Sequence, residues 1–368
     1  MKFPRFLFVF LLIVLLVPGI LMFVPETRGG ALFGVQETVL KRKSAFSIIF
    51  GNRNVYESMA KQRVGFCNHG VRLYNELNYR LFHYSSAPKL ILGKEDCFYE
   101  NLYLDEYMGK DFIGEDVIRN KVILFKHLQD SLHRQGTELL LILEPGKARF
   151  EPKFLPNGCK KGERTNFDRF LFFCKKYNVR MLDLNSYFCS IKKHSEHPLY
   201  SKHGIHWTTF GLWTAADTLQ KYIEQQCRVQ LPAFKHIGDS ISDQNKDLDF
   251  DLEPPMNLLS RLQHEKLCFP IMQPVEFPST RMKALIIADS YTWGLWDRGI
   301  LTHWFAEPEF WYYYNTVYPD IWEPNVIFAD KRHISKKVSD KDVVLLMITD
   351  ANLRDFGWGF LEDLTKAN

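Results

Sequence analysis

A chain of 368 residues with a formal net charge of +4 is long enough for one large domain or two, and too weakly basic to suggest nucleic acid as a partner. No basic stripe with interleaved aromatic residues runs along it. The seven cysteines include no Cys-x-x-Cys pair, which argues against thioredoxin-like and metal-binding readings. An odd count leaves at least one thiol free even in an exported protein, and most of the seven read as small buried side chains.

Lys2 and Arg5 precede an uncharged stretch over residues 6–25, rich in Phe, Leu, Ile and Val. At ~1.5 Å per residue it can cross a hydrocarbon core of ~30 Å, and Pro18 and Gly19 are tolerated in a spanning helix. No Ala-x-Ala site follows, which disfavours a cleaved signal peptide. The expectation is a cytoplasmic tail over 1–5, a single-pass transmembrane signal-anchor over 6–25 in the inner (cell) membrane, and a periplasmic body. Lys41, Arg42 and Lys43 on the far side run against that orientation. Residues 26–87 are expected to form a membrane-proximal helical stalk, helical by spacing from Asn52 to Phe82. Residues 88–368 form the main domain.

In that domain Leu90–Leu92 reads as a strand before Gly93. Asp116–Arg134 has helical periodicity, and Glu138–Leu143 is a continuous apolar run that predicts a strand buried on both faces. A helix over Asn166–Tyr177 precedes a strand over Val179–Asp183, and Trp207–Gln226 predicts a further helix. Lys283–Ala288 predicts a strand, as do Val326–Ala329 and Asp342–Ile348. Strands alternating with helices imply an α/β domain with a mostly parallel sheet. Asp239–Pro255 breaks the order with Asp243, Asp247, Asp249 and Asp251. It lacks the glycine and terminal glutamate of a hand-type calcium loop and reads as a solvated surface loop.

The run Lys283-Ala-Leu-Ile-Ile-Ala-Asp-Ser290 carries a serine at the carboxyl end of a strand, where active sites of such sheets gather. A serine hydroxyl is a weak nucleophile and needs a base within hydrogen-bond reach and N–H donors for the oxyanion. His206, in His203-Gly-Ile-His206-Trp207, is the candidate base. The position two before it is Gly204, which has no side chain. The group that orients the imidazole is therefore left open among a backbone carbonyl and the carboxylates of Asp289, Asp183 and Glu144, with Asp289 counted in the catalytic set. Lys147 and Arg149 follow a strand and are candidates to hold an anionic sugar. Trp207, Tyr291, Trp293 and Trp296 are candidates to meet sugar rings. Thr349, Asp350 and Asn352 follow the last strand and face the same end of the sheet.

Taken in order, Gly93-Lys-Glu-Asp-Cys-Phe98, Glu144-Pro-Gly-Lys147, Phe154-Leu-Pro156, Gly204-Ile-His206-Trp207 with Gly211, and Ala288-Asp-Ser290-Tyr291 resemble the SGNH-hydrolase-like domain of the alginate O-acetyltransferase proteins. The resemblance spans roughly residues 88 to 353. It implies a three-layer α/β/α fold, membrane-anchored or periplasmic, that acetylates hydroxyls of an exopolysaccharide, with Ser290 as nucleophile and His206 as base. It also implies a multispanning membrane-bound O-acyltransferase as acyl donor and a polysaccharide acceptor. No nucleotide or acyl-CoA motif is present, and no cofactor is expected. Two positions depart from the family's motifs. Its Asp-x-His-Trp aspartate falls on Gly204, and the glycine of its Gly-Asp-Ser falls on Ala288. The expected activity is thus a membrane-anchored O-acetyltransferase. A carbohydrate O-acetyl esterase at the same site, or a non-catalytic glycan-binding or assembly subunit, are the alternatives, the last favoured by Gly204.

Overall fold

The computed structural model describes residues 3–21, 24, 29–35, 66–244, 248–275, 281–319, 321 and 325–367. The chain divides into two compact units: Met1–Leu90 with Leu252–Leu262, and Ile91–Asp251 with Gln263–Asn368.

In the first unit the helix Phe3–Ile20 coincides with most of the stretch expected to be an anchor. Residues 22, 23 and 25 of that stretch lie outside the described residues. No helix among the described residues is long and apolar enough to cross a membrane. Of the expected stalk, Cys67–Phe82 is helical, and residues 52–65 lie outside the described residues. Within this unit Glu76 accepts hydrogen bonds from the backbone of Leu259 and from Ser260, and Asn75 donates to the carbonyl of Met256.

The second unit is built on a six-stranded sheet. Its strands are β3 (Glu138–Glu144), β4 (Met181–Asp183), β7 (Lys283–Ala288), β8 (Ala306–Tyr312), β9 (Thr316–Tyr318) and β10 (Val343–Thr349); β1 (Leu90–Leu92) and β2 (Phe98–Glu100) precede them, and the antiparallel ribbon β5 (Phe234–Ser242) with β6 (Leu267–Pro274) falls between β4 and β7. The sheet order is β4-β3-β10-β7-β8-β9. Five strands run parallel and β9 closes the edge antiparallel to β8. The reason for parallel packing is visible in the sequence: β3, β7 and β10 are runs of Leu, Ile, Val and Ala without alternation, and both of their faces are buried. Leu139, Leu141, Leu143, Leu285, Ile287, Val344, Leu346 and Ile348 pack on the helices Glu115–Arg134, Asn166–Lys176 and Phe360–Ala367. The α/β class and the mostly parallel sheet match the expectation.

Several local expectations are corrected. Val326–Ala329 is not a strand; within it only Phe328 makes an isolated bridge, to Thr316. The pairing falls instead to β8 and β9, whose Glu-, Pro- and Tyr-bearing sequences lack a clean period of two. The acidic segment over 239–255 is a solvated loop only in part: Asp243 is exposed, residues 245–247 lie outside the described residues, and the rest is drawn into the fold. Asp239–Ser242 ends β5, Asp249 is buried, and Asp251 turns inward. Three of the seven cysteines are buried, the others partly or fully exposed, and all seven are free.

Candidate active site

β7 is followed by Asp289, whose Oδ1 accepts the backbone N–H of Tyr291 and so starts a 3-10 turn over Ser290–Thr292, followed by a short helix, Trp293–Asp297. This turn lifts Ser290 to the carboxyl end of the sheet, where it stays partly exposed. As the first residue of a helical turn, Ser290 presents a backbone N–H with no partner inside that turn, which suits an oxyanion.

His206 comes from the segment before the helix Thr209–Cys227. Thr208 caps that helix by accepting the N–H of Gly211 at 3.0 Å. His206 Nε2 lies 2.9 Å from Ser290 Oγ, although the two are 84 residues apart. On its other side Nδ1 lies 2.5 Å from Asp251 Oδ2. With Nδ1–H donated to Asp251, Nε2 is the acceptor for the serine hydroxyl, the arrangement a general base requires. Asp251 is itself held: its Oδ1 accepts the N–H of Ile205 at 2.8 Å. Burial of the imidazole opposes its charged form, but the Asp251 carboxylate, by charge and hydrogen bond, outweighs it and raises the His206 pKa.

Sequence reasoning missed Asp251. The reason it sits there, and not an acid at position 204, is steric. A β-carbon on Gly204 would overlap the carbonyl oxygen of Asp249 and crowd Ser201 Oγ at 2.8 Å. The 249–251 segment crosses over Gly204 at contact distance. Asp249 pins it there by accepting Thr209 N at 2.8 Å and Thr209 Oγ1 at 3.0 Å. The Ser201 hydroxyl also donates to the Asp249 carbonyl. The signal available in sequence was the pair Gly204 and Asp251 taken together: a missing acid in one motif and a surplus of acids in a segment that seemed to lack a role.

The other predicted residues occupy different places. The Asp289 carboxylate faces away from His206: its Oδ2 accepts Thr349 N (2.9 Å), Thr349 Oγ1 (2.8 Å) and Asn352 Nδ2 (2.8 Å), tying the serine turn to the end of β10. Asp183 caps the helix Leu184–Ile191. Glu144 is buried beside Thr292, and burial first, then the Asp289 carboxylate, push its pKa well up. Lys147 is fully buried, donating to the carbonyls of Lys202 (2.8 Å) and Gly204 (2.6 Å), and so braces the histidine segment without facing a ligand. Arg149 is enclosed by Glu106 (2.9 Å), Asp168 (3.2 Å) and Asp350 (3.4 Å). Tyr291 is buried with its hydroxyl donated to Ile205 O at 2.5 Å. Trp207 is buried against Tyr291 and Phe188. Trp293 is partly exposed, its ring 6.2 Å from that of His206. Trp296 packs on Phe310.

Residues 97–245 match the family model described as SGNH hydrolase-like domain, acetyltransferase AlgX. This stretch is thus similar to the SGNH hydrolase-like domain that the motifs resemble. The chain is 26% identical over 164 residues to the Probable alginate O-acetylase AlgJ of Pseudomonas syringae pv. tomato, covering 44% of this chain and 40% of that protein. It is 23% identical over 213 residues to the protein of the same name from Pseudomonas aeruginosa, covering 56% and 52%. The matched stretch thus spans about half or less of these relatives' length. Among solved structures, the O-acetyltransferase domain of Pseudomonas putida AlgJ superposes with a TM-score of 0.51 at 16% identity, over 76% of this chain and all of that one, a likeness of fold. The mostly parallel α/β sheet, the family-model match and this likeness of fold support an SGNH-like α/β fold.

Proposed function

We propose that the chain is an O-acyltransferase, with acetyl as the transferred group, that modifies hydroxyls of an extracytoplasmic polysaccharide through an acyl-enzyme on Ser290. The observation that carries this reading is the imidazole of His206 held between Ser290 Oγ and Asp251. Kinship with proteins named alginate O-acetylases supports the acyl class.

The steps follow from the geometry. Ser290 Oγ attacks the carbonyl carbon of an acyl ester and its proton passes to His206 Nε2. The tetrahedral oxyanion is met by the Ser290 N–H. Collapse breaks the ester C–O bond, and His206 returns the proton to the departing alcohol. An acceptor hydroxyl then attacks the acyl-serine, giving its proton to Nε2, and the serine oxygen leaves with that proton restored. Asp251 holds the ring and stabilises the imidazolium formed twice per cycle. Because it supplies the carboxylate that Gly204 cannot, the main argument for a non-catalytic subunit is removed.

The apolar stretch over residues 6–25, with Lys2 and Arg5 before it, is the basis for proposing a membrane tether with Ser290 and His206 on the periplasmic side. With no nucleotide or acyl-CoA motif in the chain, a multispanning membrane-bound O-acyltransferase is the donor partner proposed. Fractionation of the full chain, with protease access from each side of the membrane, tests the tether. Mass spectrometry after incubation with an activated acetyl ester tests the chemistry: one acetyl on the peptide bearing Ser290, absent in Ser290→Ala. A folded wild-type protein that acquires no acetyl under these conditions overturns the reading.

A further inference from the structure

The first unit carries an apolar face that the acyl chemistry does not use. In the helix Cys67–Phe82, Leu73, Tyr74, Leu77 and Leu81 are each between 48% and 67% exposed. At about 100° per residue the four fall within an arc of about 100°, with Leu73 and Tyr74 at its edges. Phe66 and Tyr84, just beyond the two ends of the helix, are exposed as well. A run of large apolar side chains in water marks a surface that something else covers.

The opposite face is fixed. Asn75 donates to Met256 O at 2.8 Å, Ser260 Oγ donates to Glu76 at 2.8 Å, and Tyr79 is buried. Asn68 Nδ2 and Arg72 Nη1 each donate to Gly30 O at 3.0 Å, and Arg72 Nη2 donates to Ala31 O at 2.7 Å. The helix cannot roll to hide its leucines without breaking these bonds.

Two observations say what covers the face. The first is chain length. The uncharged stretch proposed as the tether ends at Pro25, and Gly30 lies five residues on. Five residues reach at most ~18 Å, so the carbonyl that holds Asn68 and Arg72 stays close to the end of the tether. The second is charge. Over residues 66–84 the carboxylates and basic side chains are Arg72, Glu76 and Arg80, with two histidines. The carboxylate is turned onto Ser260 and the backbone of Leu259, and Arg80 pairs with it at 3.0 Å. The exposed arc therefore presents no acid to a phosphate headgroup, and Arg80, half-exposed at its rim, has the stem length to reach one. A second copy of the helix is a poorer occupant. Pairing in a coiled coil takes about three or more heptads of apolar seam, and here the heptad positions flanking Leu73 and Leu77 hold Gly70 and Arg80.

We propose that the helix Cys67–Phe82 is an interfacial helix that lies along the surface of a phospholipid bilayer, with Leu73, Tyr74, Leu77 and Leu81 seated at the boundary between headgroups and acyl chains. The inference rests on the tether reading for its chain-length argument alone. A tether sets how far the first unit can stand from the membrane; an embedded helix face also sets which side of that unit meets the lipid.

The test uses the purified full chain in vesicles of phosphatidylcholine and phosphatidylglycerol. The photoreactive residue p-benzoylphenylalanine replaces Leu77, to report on the helix, or Phe10, to report on the tether, and cross-linked peptides are identified by mass spectrometry after illumination. The expected result is a phospholipid adduct at both positions. The Leu77 adduct falls roughly tenfold when Leu73→Gln and Leu81→Gln are combined, while thermal unfolding stays cooperative. A lipid adduct at Phe10 with none at Leu77 overturns the interfacial helix and leaves the tether standing. A lipid adduct at Leu77 with none at Phe10 upholds the helix and overturns the tether, and no adduct at either position overturns both. A cross-link from Leu77 to a second copy or to another segment of the chain, or an undiminished lipid adduct in the folded double-glutamine protein, also overturns the proposal.

Discussion

The carbonyl oxygen of Asp249 fills the space that a side chain on Gly204 would need. The two segments have therefore exchanged roles: one gave up a side chain so that the other lies on top of it and delivers an acid from above. Restoring the family's aspartate by Gly204→Asp should not rescue an Asp251→Ala protein. Gly204→Ala alone should cost about 1–3 kcal/mol through overpacking against fixed backbone. Urea denaturation and an ester-hydrolysis assay of the single and double variants check both. Recovery of activity in the double variant would show that position 204 still accepts the acid.

Asp251→Asn keeps the size of the side chain and removes its charge. It should lower kcat/KM for acyl transfer by about 10⁴-fold, as expected when an imidazole loses the partner that fixes its tautomer. The pH profile should move with it. Since Asp251 raises the His206 pKa, the wild-type acid limb lies above that of an ordinary histidine. Protonation of Nε2 removes the base, so activity rises with pH through that value. In Asp251→Asn the limb moves to lower pH, while the plateau falls. An unmoved limb argues that another carboxylate orients the ring.

Asp289→Asn makes the contrasting case. Its carboxylate accepts from Tyr291 N, Thr349 and Asn352 and does not touch His206. The substitution should destabilise the fold by about 1–3 kcal/mol by replacing an acceptor oxygen with a donor among buried donors. It should shift the acid limb less than Asp251→Asn does. Denaturant titration and the same pH profile separate the two.

Lys147→Met tests whether a residue that looked like a sugar ligand is a brace. Its amine holds the carbonyls of Lys202 and Gly204, just ahead of His206. The variant should lose kcat through a loosened histidine segment and leave the relative KM for anionic and neutral acceptors unchanged. A selective rise in KM for an anionic acceptor would return Lys147 to the binding surface.

What could be read from the sequence was whatever depends on local pattern. Uninterrupted apolar runs identified β3, β7 and β10, and the Asp-Ser step after β7 located Ser290. His206 was found because an imidazole beside tryptophan before a long helix is a short-range motif. Asp251 was not found because its role depends on a tertiary crossing of the 249–251 segment over Gly204, and polar composition in the interval suggested solvent. Lys147 was misassigned for a related reason: cations after strands are usually exposed, and only the fold shows that two backbone carbonyls capture this one. β8 was missed because a strand assembled from Ala, Glu, Pro, Phe, Trp and Tyr has neither alternation nor a pure apolar run. Its burial comes from β7 and β9 on either side.

The proposed base, its carboxylate partner and the proposed nucleophile come from positions 206, 251 and 290, with the β5–β6 ribbon beginning before Asp251 and closing after it. No contiguous stretch contains a working set, so reactivity toward an active-site label counts finished molecules: the fraction of a preparation that takes up one equivalent reports how much of it has completed the chain crossing above Gly204, independently of any spectroscopic signal from helices or strands.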